Sequence, residues 1–474
     1  MADLISQFAW TVAAYPDRTA IVNADGSSAS FAALHARAAK LANTWAKAGI
    51  GQGDRVLVAM GISSDLYATL AALWSLGATV VLPEPALGLA GVRHAVKTAN
   101  VTAFCATGWY VGLRVVVPEL WFIQRLALRE GDHGVLRNAI TPTDIALISF
   151  TSGTKDAPKA IPRSHAFLMA QHDAVAPLLE SDMQERDLVA FPVFALINLA
   201  AGRTSVLPNW KMSRLADLGS DQLADWIKDQ NVSRALLPPA LCTTLSQTQS
   251  LPSLRQVFTG GGPVFPDMVA ALRQAHPEVH VTCVYGSTEA EPIAHLDQAQ
   301  VSDADQAAMQ TGQGLLVGKP SAATSVRIVE GEILVAGDHV NQGYLDPRQA
   351  AENTLPENGL IWHRTGDAGR YDDHGRLWLL GRIGTDVCLK GQPTFPFSVE
   401  VAVRQWPGVE SCALISANGT PTLVICGDKT DFQTWVTSAR ALGISEIRHV
   451  TAIPMDRRHA SKVDRKALLL QLKA

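Results

Sequence analysis

Alternating strand and helix signals, short buried strands that each run into a glycine- or hydroxyl-rich turn, and a change of pattern after about Ser325 predict an α/β fold. In it a parallel sheet is covered by helices and followed by a smaller C-terminal part. A chain of 474 residues exceeds what one core organises, so at least two domains are expected. With 47% hydrophobic and 18% charged residues the chain has enough apolar surface for a large, well-buried enzyme.

Between Phe31 and Ala48 apolar residues recur at Phe31, Leu34, Ala38, Leu41, Trp45 and Ala48, steps of three and four that predict an amphipathic helix stopped by Gly49. Gly53-Asp54-Arg55 then turns the chain into a strand over Val56–Ala59. The most apolar run, Leu66 to Leu82, is interrupted by Ser75 and Gly77. At this length it predicts a buried helix and a buried strand, not a membrane span. Ala146–Phe150, Val257–Thr259 and Val279–Val284 read as buried strands. Ligands of open α/β sheets bind beyond the carboxyl ends of strands, so the turns that follow them are where chemistry is expected. After Ser325 short strands (Val326–Ile328, Glu332–Val335, Leu377–Leu380) alternate with glycine and aspartate turns, and a domain boundary is expected near Gly381 to Gly384.

A net charge of -4 gives no electrostatic footprint for nucleic acid or an anionic bilayer. The six cysteines (Cys105, Cys242, Cys283, Cys388, Cys412, Cys426) form no CxxC pair, which points away from zinc and disulfides and toward the cytoplasm. The amino terminus lacks the basic and apolar regions of a secretory signal.

Five sets of residues carry chemistry. Ser149-Phe150-Thr151-Ser152-Gly153-Thr154-Lys155-Asp156-Ala157-Pro158-Lys159 is a strand end running into a loop whose hydroxyls, N–H groups and lysines suit a triphosphate; an ordinary polar turn explains it as well. Val284-Tyr285-Gly286-Ser287-Thr288-Glu289 offers an aromatic, a phosphate-binding hydroxyl and a carboxylate for magnesium, though a helix start capped by Thr288 would use the same residues. Between them, Thr259-Gly260-Gly261-Gly262 would let a flat base approach bare backbone. Thr365-Gly366-Asp367 and Gly381-Arg382 supply an acceptor for ribose hydroxyls and a cation. Near the end, Asp456-Arg457-Arg458-His459-Ala460-Ser461-Lys462-Val463-Asp464-Arg465 reads by itself as a solvated basic loop or, less readily, a nucleic-acid patch.

In this order the segments resemble the adenylate-forming superfamily of acyl-CoA synthetases, luciferases and peptide-synthetase adenylation domains, over nearly the whole chain. Tyr285 to Glu289 matches that superfamily's YGxTE, Gly331 to Leu345 its GE to GYL stretch, Thr365 to Asp367 its TGD, and Ser461 to Arg465 its terminal GKxxR. Within it the chain is most similar to the β-lactone synthetases of olefin biosynthesis, through Phe191-Pro192-Val193-Phe194-Ala195-Leu196, Gly261-Gly262-Pro263-Val264, Tyr285 to Pro292 and Arg458-His459-x-x-Lys462.

The resemblance implies a large N-terminal domain of stacked, parallel-rich sheets (1–381) and a small, mobile α+β lid (382–474). It implies ATP-dependent activation of a fatty, 3-hydroxy or similar carboxylic acid to its acyl-AMP, with magnesium as helper and pyrophosphate released. Lys462, Thr288 and Glu289 are the expected catalytic groups, with Glu289 on magnesium. Thr151, Ser152, Gly153, Thr154 and Lys159 would line the phosphates, Asp367 and Arg382 the ribose, and Gly261, Gly262, Tyr285 and Gly286 the adenine side. Phe191, Phe194, Ala195 and Asn198 would form the acyl pocket. The expected second step is transfer to coenzyme A or to the phosphopantetheine thiol of an acyl carrier protein. The alternatives are closure of a 3-hydroxyacyl adenylate to a β-lactone and, in another class, a non-catalytic nucleotide-binding relative.

The sequence departs from the pattern in two places. The phosphate loop has Lys155, Asp156 and Ala160 where threonine and two glycines are usual. At the hinge Gly384 stands for aspartate, and Cys388 replaces a lysine that follows it. The hinge change weakens the case for a rotation that positions coenzyme A.

Overall fold

The computed structural model describes residues 3–83, 87–129, 131–132, 134–136, 140–151, 158–417, 419–455 and 462–472. Ser152, Gly153 and Thr154 of the phosphate loop, and Arg457, Arg458, His459 and Ser461 of the terminal loop, lie outside them.

The periodic segment is a helix over Phe31–Lys47, its N-terminus capped by the Ser30 hydroxyl, which accepts from the Ala33 N–H at 3.1 Å. Phe31, Leu34, Ala38, Leu41 and Trp45 are buried. Ala48 instead falls on the C-cap and is exposed, because Gly49 takes the left-handed conformation (φ +89°) that ends the helix. The run from Leu66 divides into a helix over Ser64–Ser75 and a strand over Thr79–Leu82. Among the described residues no helix is long and apolar enough to cross a membrane.

Two sheets form the large part of the molecule. A six-stranded sheet runs in the order Gln124–Leu126, Ala103–Ala106, Arg55–Ala59, Thr79–Leu82, Ile145–Phe150, Ala160–Ser164, parallel except for its last pair. A fourteen-stranded sheet is parallel from Thr19–Val22 through Thr204–Val206, Arg186–Val189, Arg234–Leu237 and Gln256–Gly260 to His280–Ser287. From Ala290–Asp297 onward its pairs become antiparallel, so the sheet is mixed. This half carries the short strands expected after Ser325.

Beyond Arg382 the chain builds smaller sheets of its own. A hairpin (Val387–Leu389, Gln392–Thr394) and three strands (Val409–Ala417, Thr420–Gly427, Glu446–His449) are packed by helices Pro396–Val403, Phe432–Leu442 and Arg465–Gln471. Helix Pro396–Val403 rests on the large sheet: the Ser398 hydroxyl donates to Leu380 O at 2.8 Å, and Arg404 meets Asp267 at 2.5 Å.

That contact is backed by helix Asp303–Gln310, whose start is a capping box of Ser302 and Asp305. Arg376 pairs with Asp305 at 2.5 Å and with Asp372 at 2.8 Å. Hydrogen bonding from Arg376 lowers the Asp305 carboxyl from 3.8 to about 2. Burial opposes ionisation of Asp372, yet Trp378 and Arg376 hold it well below the usual carboxylate range. Both groups have folded values below their unfolded ones. The stability they contribute is therefore complete above the unfolded value and is lost as pH falls through the folded one. Melting temperature is expected to drop between about pH 4 and about pH 2, and Arg376→Met to flatten that slope. An unchanged slope in the variant would rule this cluster out as its source.

Candidate active site

The strand His280–Ser287 organises the site. It does not run into a helix, as the capping alternative had it. Thr288 and Glu289 form the turn of a hairpin that returns as Ala290–Asp297. Gly286 makes the return possible, since a Cβ there would lie 2.9 Å from Ala290 O. The turn is held from three sides. Arg163 donates to Thr288 O at 2.5 Å, the Asn341 N–H donates to Glu289 O at 2.7 Å, and the Ser287 hydroxyl accepts from the Glu289 N–H at 3.2 Å.

The Glu289 carboxylate accepts from the Tyr344 hydroxyl at 3.3 Å. The Lys159 ammonium lies 5.4 Å from the centre of the Tyr344 ring and donates to Asn353 at 2.7 Å. Both ends of the phosphate loop are tied here: the Thr151 N–H donates to Lys159 O at 3.0 Å, and the Leu345 N–H to Ala160 O at 3.0 Å. Burial and the Glu289 charge push the Tyr344 phenol upward, so it stays a hydrogen-bond donor. Burial likewise pulls His363 below the usual imidazole value, although Glu289 opposes this. The half-buried Glu289 carboxylate suits Mg2+, which takes one or two protein carboxylates and completes its shell with water and phosphate oxygens.

A second cluster lies at Tyr285, on the same strand and three residues before Thr288. The Tyr285 hydroxyl donates to Asp367 Oδ2 at 2.7 Å, and Arg382 Nη1 donates to Asp367 Oδ1 at 2.8 Å. Asp367 and Arg382 are cross-strand partners of Leu360–Tyr371 and Leu377–Arg382, so sheet register joins residues far apart in sequence. Burial, with Asp367 adding to it, raises the Tyr285 phenol well above its usual value. The TGD stretch of strand Leu360–Tyr371 is buttressed by Glu332, which accepts from the Gly366 N–H at 3.0 Å and pairs with Arg364 at 2.5 Å.

A cavity of about 20 Å³ is walled by Phe191, Phe194, Phe258, Leu236, Val175 and Leu179. Phe191 and Phe194, named from sequence, both line it. Ala195 and Asn198 are placed elsewhere: both are fully buried, Ala195 in the core against the six-stranded sheet, and Asn198 donating to the Ser205 hydroxyl at 3.0 Å. Gly261 has φ +75°, and its bare face takes the Phe191 ring, where a Cβ would come within 3.1 Å. Gly262 follows it in the same bend. Lys462 is exposed on the C-terminal part, interacts within the protein, and is anchored by the Met455 to Val463 bridge and by Arg465 on Glu400 at 2.6 Å. Gly384, also exposed, has φ +74°, a conformation glycine adopts without strain.

Arg163, Glu332, Asn341 and Tyr344 were not singled out from sequence. Tyr344 carried a signal, lying inside the matched Gly331 to Leu345 stretch. Glu332 and Asn341 lie in the same stretch, whereas Arg163 acts through a backbone carbonyl, which leaves no motif.

Residues 8–345 match the family model described as AMP-binding enzyme. The chain belongs to the AMP-binding enzyme family. Among curated relatives of this family member, an olefin β-lactone synthetase of Xanthomonas campestris pv. campestris is 28% identical, covering 93% of this chain and 90% of the relative. A feruloyl-CoA synthase of an Amycolatopsis species is 27% identical over 84% of this chain and 82% of its own. Among solved structures, the amide bond synthetase McbA of Marinactinospora thermotolerans superposes with a TM-score of 0.82 at 22% identity, covering 99% of both chains. The o-succinylbenzoate CoA synthetase MenE of Bacillus subtilis, solved with its acyl-adenylate intermediate, gives 0.80 at 20% identity, covering 98% of this chain and 97% of that one. This AMP-binding enzyme is thus an adenylate-forming ligase that makes an acyl adenylate from a carboxylic acid and ATP.

Proposed function

We propose that the protein adenylates an acid with an apolar chain and a hydroxyl close to its carboxyl group, and then lets that hydroxyl close on the activated carbonyl, so that AMP leaves and the hydroxyl proton is released to solvent. The observation that carries this reading is the strand His280–Ser287. Val284 lines the acyl cavity, its neighbour Tyr285 meets Asp367 and Arg382, and the strand ends in the Thr288–Glu289 turn. Adjacent residues of a strand face opposite sides, so acid and nucleoside are brought to one strand end.

In the proposed reaction the substrate carboxylate attacks the α-phosphate in line and pyrophosphate leaves. Side chains contribute positioning and charge, not covalent chemistry. Thr288 holds the α-phosphate, while Thr151 and Lys159, with Ser152, Gly153 and Thr154, hold the outer phosphates. Asp367 turns from Tyr285 and Arg382 to the ribose, and Gly261, Gly262, Gly286 and Tyr285 border the adenine. Mg2+, held by Glu289, supplies neutralisation of phosphate charge. Lys462 bridges carboxylate and α-phosphate when a lid comprising residues 382–474 turns about Gly384.

Intramolecular closure is favoured by the two hinge departures, Gly384 and Cys388, and by the 28% identity to an olefin β-lactone synthetase over 93% of this chain. Transfer to a thiol, of coenzyme A or of an acyl carrier protein, is the second reading. It is supported by CoA-ligase relatives such as the feruloyl-CoA synthase. A cytoplasmic setting accords with six free cysteines, five of them buried.

The test is pyrophosphate release against fatty, 3-hydroxy and aromatic acids, with and without coenzyme A, with products identified by mass. A thiol-independent product at the mass of the acid less water is expected. An acyl-CoA from the same acid would retire the closure step while leaving activation intact.

A further inference from the structure

We propose that the segment Gly108–Phe122 docks the protein on an anionic lipid bilayer, its aromatic and valine side chains entering the headgroup layer and the cations around it meeting lipid phosphates.

The segment leaves the six-stranded sheet after strand Ala103–Ala106 and returns to it as strand Gln124–Leu126. It is made of three short helical turns, Gly108–Gly112, Leu113–Val116 and Pro118–Leu120. Leu113, Val117 and Leu120 are buried with Phe104 in one apolar cluster, which pins the segment to the sheet. The other large apolar side chains are turned to solvent. Phe122 is 98% exposed and Val115 77%, and Trp109, Val116 and Trp121 are each more than half exposed. The Arg114 guanidinium donates to Trp121 O at 3.2 Å, which holds Val115 and Val116 close to Trp121 and Phe122. The Trp109 ring stacks on Tyr110 with centroids 3.9 Å apart. Single exposed hydrophobic residues are ordinary on a protein surface, but five on one short, anchored segment mark a contact surface.

Charge decides what that surface meets. The whole chain carries -4, yet from Arg93 to Arg125 it has four basic residues, Arg93, Lys97, Arg114 and Arg125, and a single acid, Glu119. Glu119 is already matched twice, by Arg93 at 3.0 Å and by Lys97 at 3.2 Å. Arg125 is the register partner of Phe104 on the neighbouring parallel strand, so its side chain leaves the sheet on the face that the segment covers. All four cations are exposed. A second copy of the chain, docked through the same face, would set these cations against themselves with no spare acid between them. An anionic bilayer offers both complements: a layer in which tryptophan and phenylalanine settle, and phosphates for the cations. The attachment is peripheral, since among the described residues no helix is long and apolar enough to cross a membrane.

The experiment is co-sedimentation of the full chain with vesicles of phosphatidylcholine alone and of phosphatidylcholine mixed equally with phosphatidylglycerol. No ATP or acid is present, so the result does not depend on the reaction proposed above. Wild type is expected to pellet with the mixed vesicles and to be released by salt. Phe122→Ser should weaken that binding by about 10-fold, the loss of one large apolar side chain from the layer. Arg114→Glu with Arg125→Glu should weaken it by about 10-fold or more and abolish the preference for anionic vesicles. Trp10→Ser, at an exposed tryptophan on helix Leu4–Ala14, should bind as wild type does. Every substituted side chain is exposed, so melting temperatures should not move, and a loss of binding is then not a loss of fold. The proposal is overturned if wild type does not pellet with the mixed vesicles, if it binds neutral vesicles equally well, or if Phe122→Ser binds like wild type. A dimer in sedimentation velocity that Phe122→Ser dissolves would also overturn it, by assigning the face to a second copy.

Discussion

Glutamine in place of Glu289 is expected to lower acid-dependent pyrophosphate release by about 100-fold or more, with little change in melting temperature. The reason is charge. Glu289 accepts from Tyr344, whose ring lies beside the Lys159 ammonium, and the amide is close to the carboxylate in shape but carries none of its attraction for a divalent ion. The turn itself should survive, because its braces reach backbone atoms: Arg163 on Thr288 O and the Asn341 N–H on Glu289 O. A Mg2+ titration separates the causes. If the carboxylate holds the ion, rate in the variant should recover partly at high Mg2+, whereas collapse of the turn would show no such recovery. Activity within about 3-fold of wild type at ordinary Mg2+ would remove Glu289 from the proposed machinery.

How far such a site can be read from sequence depends on whether its parts are local. The helix at Phe31 was legible because burial of one face imposes a three-and-four spacing. The Tyr285 to Glu289 segment was legible as chemistry but not as a hairpin. Thr-Glu after a strand serves a helix start as well as a turn, and the return strand, with Glu291, Pro292 and His295, lacks clean alternation. The Asp367 to Arg382 pairing is a matter of register, which no local pattern encodes. The acyl wall shows the same limit. Phe191, Phe194, Ala195 and Asn198 are spaced like one helical face, but the helix begins at Pro192, leaving Phe191 as its N-cap. Phe194 then turns to the cavity while Ala195 and Asn198 face the core. Phe258, a wall residue from the next strand but one, had no signal beyond its place in a buried strand.

The second large effect concerns what stands behind that wall. Asp187→Ala is expected to destabilise the protein by about 3 to 5 kcal/mol. Asp187 and Arg234 are both fully buried, on neighbouring parallel strands, and form a two-pronged pair at 2.7 and 2.8 Å. Arg234 also donates to Leu179 O at 2.9 Å and lies 6.0 Å from the centre of the Phe258 ring. Leu179, Leu236 and Phe258 are cavity walls, so the pair stands behind that lining. Removing the carboxylate leaves a guanidinium in the core with one carbonyl partner, and the cost is that of an uncompensated buried charge. Replacing both at once, Asp187→Leu with Arg234→Met, should cost much less, because neither charge is then stranded. Urea unfolding of the two variants tests this directly. Equal losses in the single and double variants would mean that packing, not charge, governs this position. The double variant should also loosen selectivity for acyl chain length, since the Leu179 carbonyl and the Phe258 ring lose the group that fixes them.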